Sequence, residues 1–415
     1  MSNIKPFRGY RPVAGKAAAI ASPPYDVLSS EEAKEMAAGN PVSFLHVVKP
    51  EIDLPAGTDV YADIVYATGA ENLRRLIDDG HLVQDAAPCL YIYRQIMQVH
   101  GRRHVQTGVM AGCSVAEYEA GLIKRHEFTR VAKEKDRTRH VEELNANTGP
   151  VFLTYRARDE VKALVASLCA APPDCDFTAP DGIGHVLWVV KDPAAVEQLC
   201  TAFCDVPALY IADGHHRCAS ACTVGKRRRD ANPAHTGDEP YNHLLAVMFP
   251  HDELMILDYN RVVMDLNGMT SAQFMERVKE KFTCAPAAEA KPAREHTFGM
   301  YLDGRWYTLE AKNGTFDATD PVRRLDVSIL QENLLSPVLA IGDPRTDDRI
   351  DFIGGIRGMK ELERRVKDGA AVAFAMFPTP IEQLMAIADA GEVMPPKSTW
   401  FEPKLRSGLV VRPLW

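Results

Sequence analysis

Between Pro207 and Cys222 an apolar run, a polar run and a run of small residues follow one another, and that order leaves the chain few ways to fold there. Ala208-Leu209-Tyr210-Ile211-Ala212 reads as a short buried strand. Cys218-Ala219-Ser220-Ala221-Cys222 is small and helix-permissive, which predicts a helix pressed close to a neighbour. The box between them, Asp213-Gly214-His215-His216-Arg217, therefore belongs to a strand-to-helix turn. A helix N-terminus carries unpaired N–H groups and a partial positive charge, so such a turn suits an anion. Gly214 permits a sharp turn or a close backbone approach. Arg217 can fork onto a phosphate or carboxylate, and His215 and His216 supply donors or acceptors near neutral pH. Asp213 is the candidate metal ligand, or the acid that orients a histidine. A plain polar surface turn is the alternative, but it has no need of two histidines and an arginine directly after a buried strand.

Zinc is a second reading of the same stretch. His215, Cys218 and Cys222 share a helical stripe, with Cys200 and Cys204 upstream, yet no two cysteines have the close CxxC spacing of a structural zinc site. Cysteines at helical spacing more often act as small buried hydrophobes. The nine cysteines are odd in number and scattered, and the start of the chain has no apolar signal segment. A reducing cytoplasm is the expected setting. No window approaches a membrane span. With 46% hydrophobic and 25% charged residues the chain is globular in composition, and a net charge of −8 argues against a dedicated nucleic-acid partner.

Along the 415 residues, mixed α and β patterns predict an α/β (mixed α+β) protein. Residues 18–27 read as a strand running into a proline-stiffened turn, and Ser29 or Ser30 caps a helix with acids in its first turn. Residues 61–80 read as an amphipathic helix with Ile64, Leu73, Leu76 and Ile77 as its stripe and Gly80 as its stop. A hairpin is expected around His100-Gly101. Strands are expected at 151–155, 186–190, 244–249 and 371–376, and helices from Arg158 and over 326–335, 358–368 and 380–390. Asp303-Gly304 marks a type I′ hairpin within 296–311. Residues 283–296 read as a linker, which divides the chain into an N-terminal α/β region, 1–285, and a C-terminal α+β region, 297–415. The latter either folds alone or packs on the same site. Residues 394–405 read as a proline-stiffened loop.

Walker, dinucleotide, H-E-x-x-H and G-x-S-x-G motifs are missing. Four further polar islands remain. Asp26, in Ser22-Pro23-Pro24-Tyr25-Asp26, is either a turn-stabilising residue or a rigidly held general base. Glu127, in Lys124-Arg125-His126-Glu127, is either part of a solvated run or a half-buried acid beside cations. Arg139, His140, Asn145, Asn147, Thr148 and Gly149 precede a buried strand and suit a phosphate or ribose contact, whereas Lys133 to Arg137 read as a solvated helix face. Lys397, Ser398 and Lys404 are candidate phosphate ligands, or else part of a tail packed by Trp400 and Phe401. Cations, amides, hydroxyls and a few carboxylates together fit phosphoryl transfer, where positioning and charge neutralisation dominate.

The strings SPPYDV, IKRHEFTR, DRTRH, NANTGPVFLTY, IADGHHR, DPRTDDRIDFIGG and MPPKSTWFEPKLRSGL resemble the bacterial family called domain of unknown function 1015, from about residue 5 to the C-terminus. The DGHHR element is similar to the phosphate box of the ParB/sulfiredoxin fold, shared by ParB-type CTPases, sulfiredoxin and free-serine kinases. The resemblance implies a ParB/sulfiredoxin-like core with large insertions and a C-terminal α+β extension. It implies ATP or ADP as co-substrate with Mg²⁺, and a small hydroxylated acceptor, best matched by L-serine. Its second histidine and its length set this chain apart from the compact relatives. Asp26, Glu127, Asp213, His215, His216 and Arg217 are then the catalytic candidates. Two other classes are weighed: a ParB-like nucleotide-binding protein with a nucleic-acid or protein partner, and a metal-dependent hydrolase using His215, His216 and Asp213. A homodimer is left open.

Overall fold

The structure is a computed structural model that describes residues 2–99 and 101–415. His100 therefore lies outside the described residues, but the hairpin expected around it is present, with Leu90–Val99 and Arg102–Ser114 paired antiparallel. Mixed α and β elements run along the whole chain, as expected. They fall into two compact units: Met1–Leu254 with Pro403–Trp415, and Met255–Glu402. The C-terminal stretch thus returns to the unit in which the chain began.

The first unit is built on a nine-stranded mixed sheet. Leu209–Asp213 and His243–Pro250 flank Val151–Tyr155, the first antiparallel to it and the second parallel. His243–Pro250 also joins this half to the long hairpin. These central strands are continuous apolar runs because both faces are covered, and Leu153, Ile211, Leu244 and Met248 are fully buried with Leu199, Phe203 and Cys218 from the helices. Gly214 caps the helix His215–Ala231 with φ of +93°, a left-handed conformation that a side chain resists. That helix buries Cys218 to Cys222, Val224 and Gly225, so the close packing expected of its small residues is present. A Cβ on Gly225 would sit 2.6 Å from the carbonyl oxygen of Tyr241.

The second unit holds a six-stranded antiparallel sheet with the helix Met359–Lys367 on it. Asp303 and Gly304 both have positive φ, as a type I′ turn requires.

Several local expectations are corrected. Residues 18–21 form no strand: Ala17–Ile20 is one helical turn, favoured by its alanines, and only Ser22 makes a bridge, to Ser407. In the helix Asp63–Asp78, Ile64 is exposed, and Val65, Tyr66 and Gly69 take the inner face with Leu73 and Leu76. The first part of the expected linker is strand, since Phe282–Ala287 pairs with Arg305–Ala311, and residues 288–296 are loop and turn. Pro286 is tolerated because that strand is the edge of the sheet. Trp400–Glu402 is a short strand paired with Met255–Leu257.

Candidate functional site

The strand Leu209–Asp213, next to the short edge strand Ile123–Lys124, carries the box at its C-terminal end, and its last residue turns back on itself. Asp213 accepts the Gly214 backbone N–H at 2.9 Å with one carboxylate oxygen and the Lys404 ammonium at 3.1 Å with the other. Burial pushes the Asp213 carboxyl up, but Lys404 and Arg217 outweigh it and hold the group well below the usual carboxylate range. Lys404 belongs to the returning C-terminal strap. Its carbonyl accepts Gln95 Nε2 at 3.0 Å, and Gln95 in turn accepts Gln106 Nε2 at 3.0 Å in the middle of the hairpin. A buried amide chain therefore fixes the backbone that carries the lysine.

His215 and His216 are held from outside by the segment after Ile123–Lys124. The His126 backbone N–H meets His215 Nε2 at 3.5 Å, and the Arg130 N–H donates to His216 Nε2 at 2.9 Å. Accepting at Nε2 leaves each neutral ring its proton on Nδ1. The His215 Nδ1 lies 3.9 Å from a Glu127 carboxylate oxygen. Burial, and then neighbouring His126, press His215 toward the neutral form; burial and Lys133 do the same to His216. The fixed positive charge of the box is therefore Arg217 and the helix N-terminus rather than imidazolium.

Arg217 donates to the Pro150 carbonyl at 2.6 Å and reaches Asp26 at 3.4 Å, while its buried Nε–H has no hydrogen-bond partner among the described residues. Beside it lies a small cleft that opens to solvent. Val48, Val141, Val151, Leu244 and Leu245 give it an apolar floor; Arg137, His140, Asn147, Thr148, Arg217 and Ser407 bring polar groups. Gly149 is tight against the strap: a Cβ there would stand 3.0 Å from Ser407 Oγ.

The structure thus gathers Asp26, Asp213 to Arg217, Glu127 and Lys404 around the box, with His140, Asn147, Thr148 and Gly149 on the cleft wall. Other candidates have different surroundings. Arg139 points to Asp63 and lies 4.5 Å over the Tyr66 ring, and it does not line the cleft. Asn145 ends the helix Val131–Leu144 in a left-handed conformation and accepts from Arg228, a capping arrangement. His140 stays on the cleft wall, where its Nε2–H donates to the Val47 carbonyl at 3.0 Å and burial, with Arg137, lowers it to about 3. Lys397 and Ser398 belong to the second unit, where the Lys397 ammonium lies 5.5 Å over Tyr259 and the Ser398 hydroxyl bonds the Pro395 carbonyl.

Sequence reasoning passed over Tyr25, Arg137, Ser220 and Ser407. The sequence reads Arg137 as part of a solvated face, yet it stacks 4.0 Å over Tyr25, pairs with Asp136 and lines the cleft. Its helical spacing with His140 and Val141 was the available signal. Ser407 had none, being far away in the chain. The metal reading gains no donor set: among the described residues no three His, Cys, Asp or Glu side chains converge. Nor, among them, is any helix long and apolar enough to cross a membrane.

The site and fold accompany a family assignment. Residues 4–328 match the family described as "Protein of unknown function (DUF1015)", and the chain belongs to it. No curated protein matches the chain. Among solved structures, it is similar to a mutant free serine kinase in complex with AMP (16% identity, 71% of this chain and 87% of that one, TM-score 0.35). It is also similar to a conserved hypothetical protein from Pyrococcus furiosus (14%, 72% and 93%, 0.34). A third is SbnI with a C-terminal truncation from Staphylococcus aureus (10%, 71% and 82%, 0.38). Likenesses this loose carry no residue-by-residue correspondence.

Proposed function

We propose that the chain is a nucleotide-dependent phosphotransferase that carries a phosphoryl group to a small hydroxylated metabolite, with free L-serine, giving O-phosphoserine, as the acceptor to test first. The observation that carries the reading is Arg217: a buried arginine in the first turn of a helix, beside a cleft, with an Nε–H that no described residue satisfies. Leaving such a donor unpaired costs about 1 to 3 kcal/mol, which an anionic ligand would recover. The serine choice rests on the resemblance of the DGHHR element.

In this reading the transferring phosphates lie against the helix N-terminus and Arg217. The acceptor hydroxyl gives its proton to Asp26 or Glu127, its oxygen bonds to phosphorus, and the bond from phosphorus to the nucleotide oxygen breaks. Negative charge gathered on the phosphoryl oxygens is met by Arg217 and the backbone N–H groups. Mg²⁺ would neutralise nucleotide phosphates. The single carboxylates here suit a metal held mainly by those phosphates rather than by a protein cage, and Asp213 has Lys404 where a cation would stand.

The test is direct. The full chain is incubated with L-serine, Mg²⁺ and either ATP or ADP, and phosphorus NMR is used to look for O-phosphoserine. A new phosphomonoester signal, absent in Arg217→Ala, is expected. If neither nucleotide shifts the melting temperature, the phosphate reading is wrong. A shift without product keeps the nucleotide and rejects serine.

A further inference from the structure

Phe128 and Val131 are 61% and 69% exposed, the two most exposed large hydrophobic residues among those described. They sit on the very segment whose backbone bonds the two box histidines. That segment is not slack. The Thr129 hydroxyl donates to Glu134 at 2.6 Å, and Glu134 also receives Thr223 from the box helix at 3.4 Å. The ring is therefore displayed to water by a loop tied on both sides, which needs a reason because exposing a large aromatic surface forfeits its burial. Phe128 is two residues from each tie, so its backbone lies within about 7 Å of the atoms bonded to His215 and His216. The Arg125 guanidinium stands 5.9 Å over the ring centroid, which puts a cation on one face of the platform and leaves the other for a base.

We propose that Phe128, with Arg125 beside it, is the stacking platform for the nucleobase of the nucleotide whose phosphates the box receives. The inference rests on the phosphate reading of the box and adds to it the place of the base. A flat π-face recognises any base by stacking, and stacking in water is strong enough to be read in a binding constant. It also separates two halves of one ligand: phosphates at the helix N-terminus, base on the loop.

Calorimetry on the full chain with Mg²⁺ separates them. ADP and pyrophosphate are titrated into the wild type, Phe128→Ala and Phe128→Trp. The expected result is ADP binding weakened about tenfold or more in Phe128→Ala, pyrophosphate binding unchanged within twofold, and ADP binding retained in Phe128→Trp. Unchanged ADP affinity in Phe128→Ala overturns the platform and leaves the phosphate seat standing. Equal loss of ADP and pyrophosphate also overturns it, since the ring would then merely hold the loop. If the ring instead buries against a second copy, Phe128→Ala changes the sedimentation of the protein without changing ADP affinity, which again rejects the platform. A wild type that binds neither ligand overturns the phosphate seat and this inference with it.

Discussion

Arg217 combines three properties that a lysine cannot reproduce: a fixed charge, a planar fork, and a donor already desolvated. One arm is spent on the Pro150 carbonyl and another leans toward Asp26, which leaves Nε–H without a partner among the described residues. Arg217→Ala is expected to lower pyrophosphate affinity about 10- to 100-fold, and Arg217→Lys to recover less than half of that in free energy, because a point charge does not refill the fork. Calorimetry decides it; full recovery by lysine would mean that charge alone matters. Lys404 acts through Asp213. Removing it leaves a half-buried carboxylate without its ammonium, so Lys404→Met should destabilise the fold by about 1 kcal/mol after allowance for solvent screening. Adding Asp213→Asn in the same chain should return most of that loss, since the amide brings no charge to strand. Urea midpoints of the two single variants and the double variant measure the coupling, and additive losses would show that the pair is not coupled.

At the scale of elements, the strand, turn and helix of the box were legible because three independent signals agree there: an apolar run, a glycine and a small-residue helix. Capping was equally readable, and the Ser29–Glu32 capping box is present. What could not be read is long-range. Nothing local announces that Lys404 and Ser407 return to the unit carrying the box, because strap residues owe their place to partners such as Gln95, Ser22 and Tyr10 far away in the chain. Residues 18–21 failed for the opposite reason, since alanine-rich segments satisfy a helical turn as readily as an extended one. The small-residue face of the box helix gives an element-level test. Gly225→Ala would gain about 1 kcal/mol of helix propensity at an ordinary position. Here the new methyl meets the Tyr241 carbonyl, and the net result expected is a destabilisation of about 1 to 2 kcal/mol by urea denaturation. A more stable variant would show that the turn Pro240–Asn242 yields to the helix.

Across the whole molecule, acid should act on one unit more than on the other. His126, His140, His185 and His243 are all buried in the first unit, and burial is the main cause that lowers them to about 4, 3, 3 and 4. A folded-state pKa below the unfolded value means that the unfolded chain takes up the proton first. The stability they protect is therefore complete above about pH 6.5 and is lost as the pH falls toward the folded values, at about 1.4 kcal/mol per pH unit for each histidine. The second unit has a single histidine, His296, which sits half-exposed beside Asp326. Between pH 6 and 4 the first unit should accordingly open to protease while the antiparallel sheet of Met255–Glu402 resists. Limited proteolysis across that range, with fragments identified by mass, checks this. Fragments spanning roughly residues 255–402 should accumulate as the pH falls. Simultaneous digestion of both units would mean that they unfold as one cooperative body and that the four buried histidines set the acid stability of the entire chain.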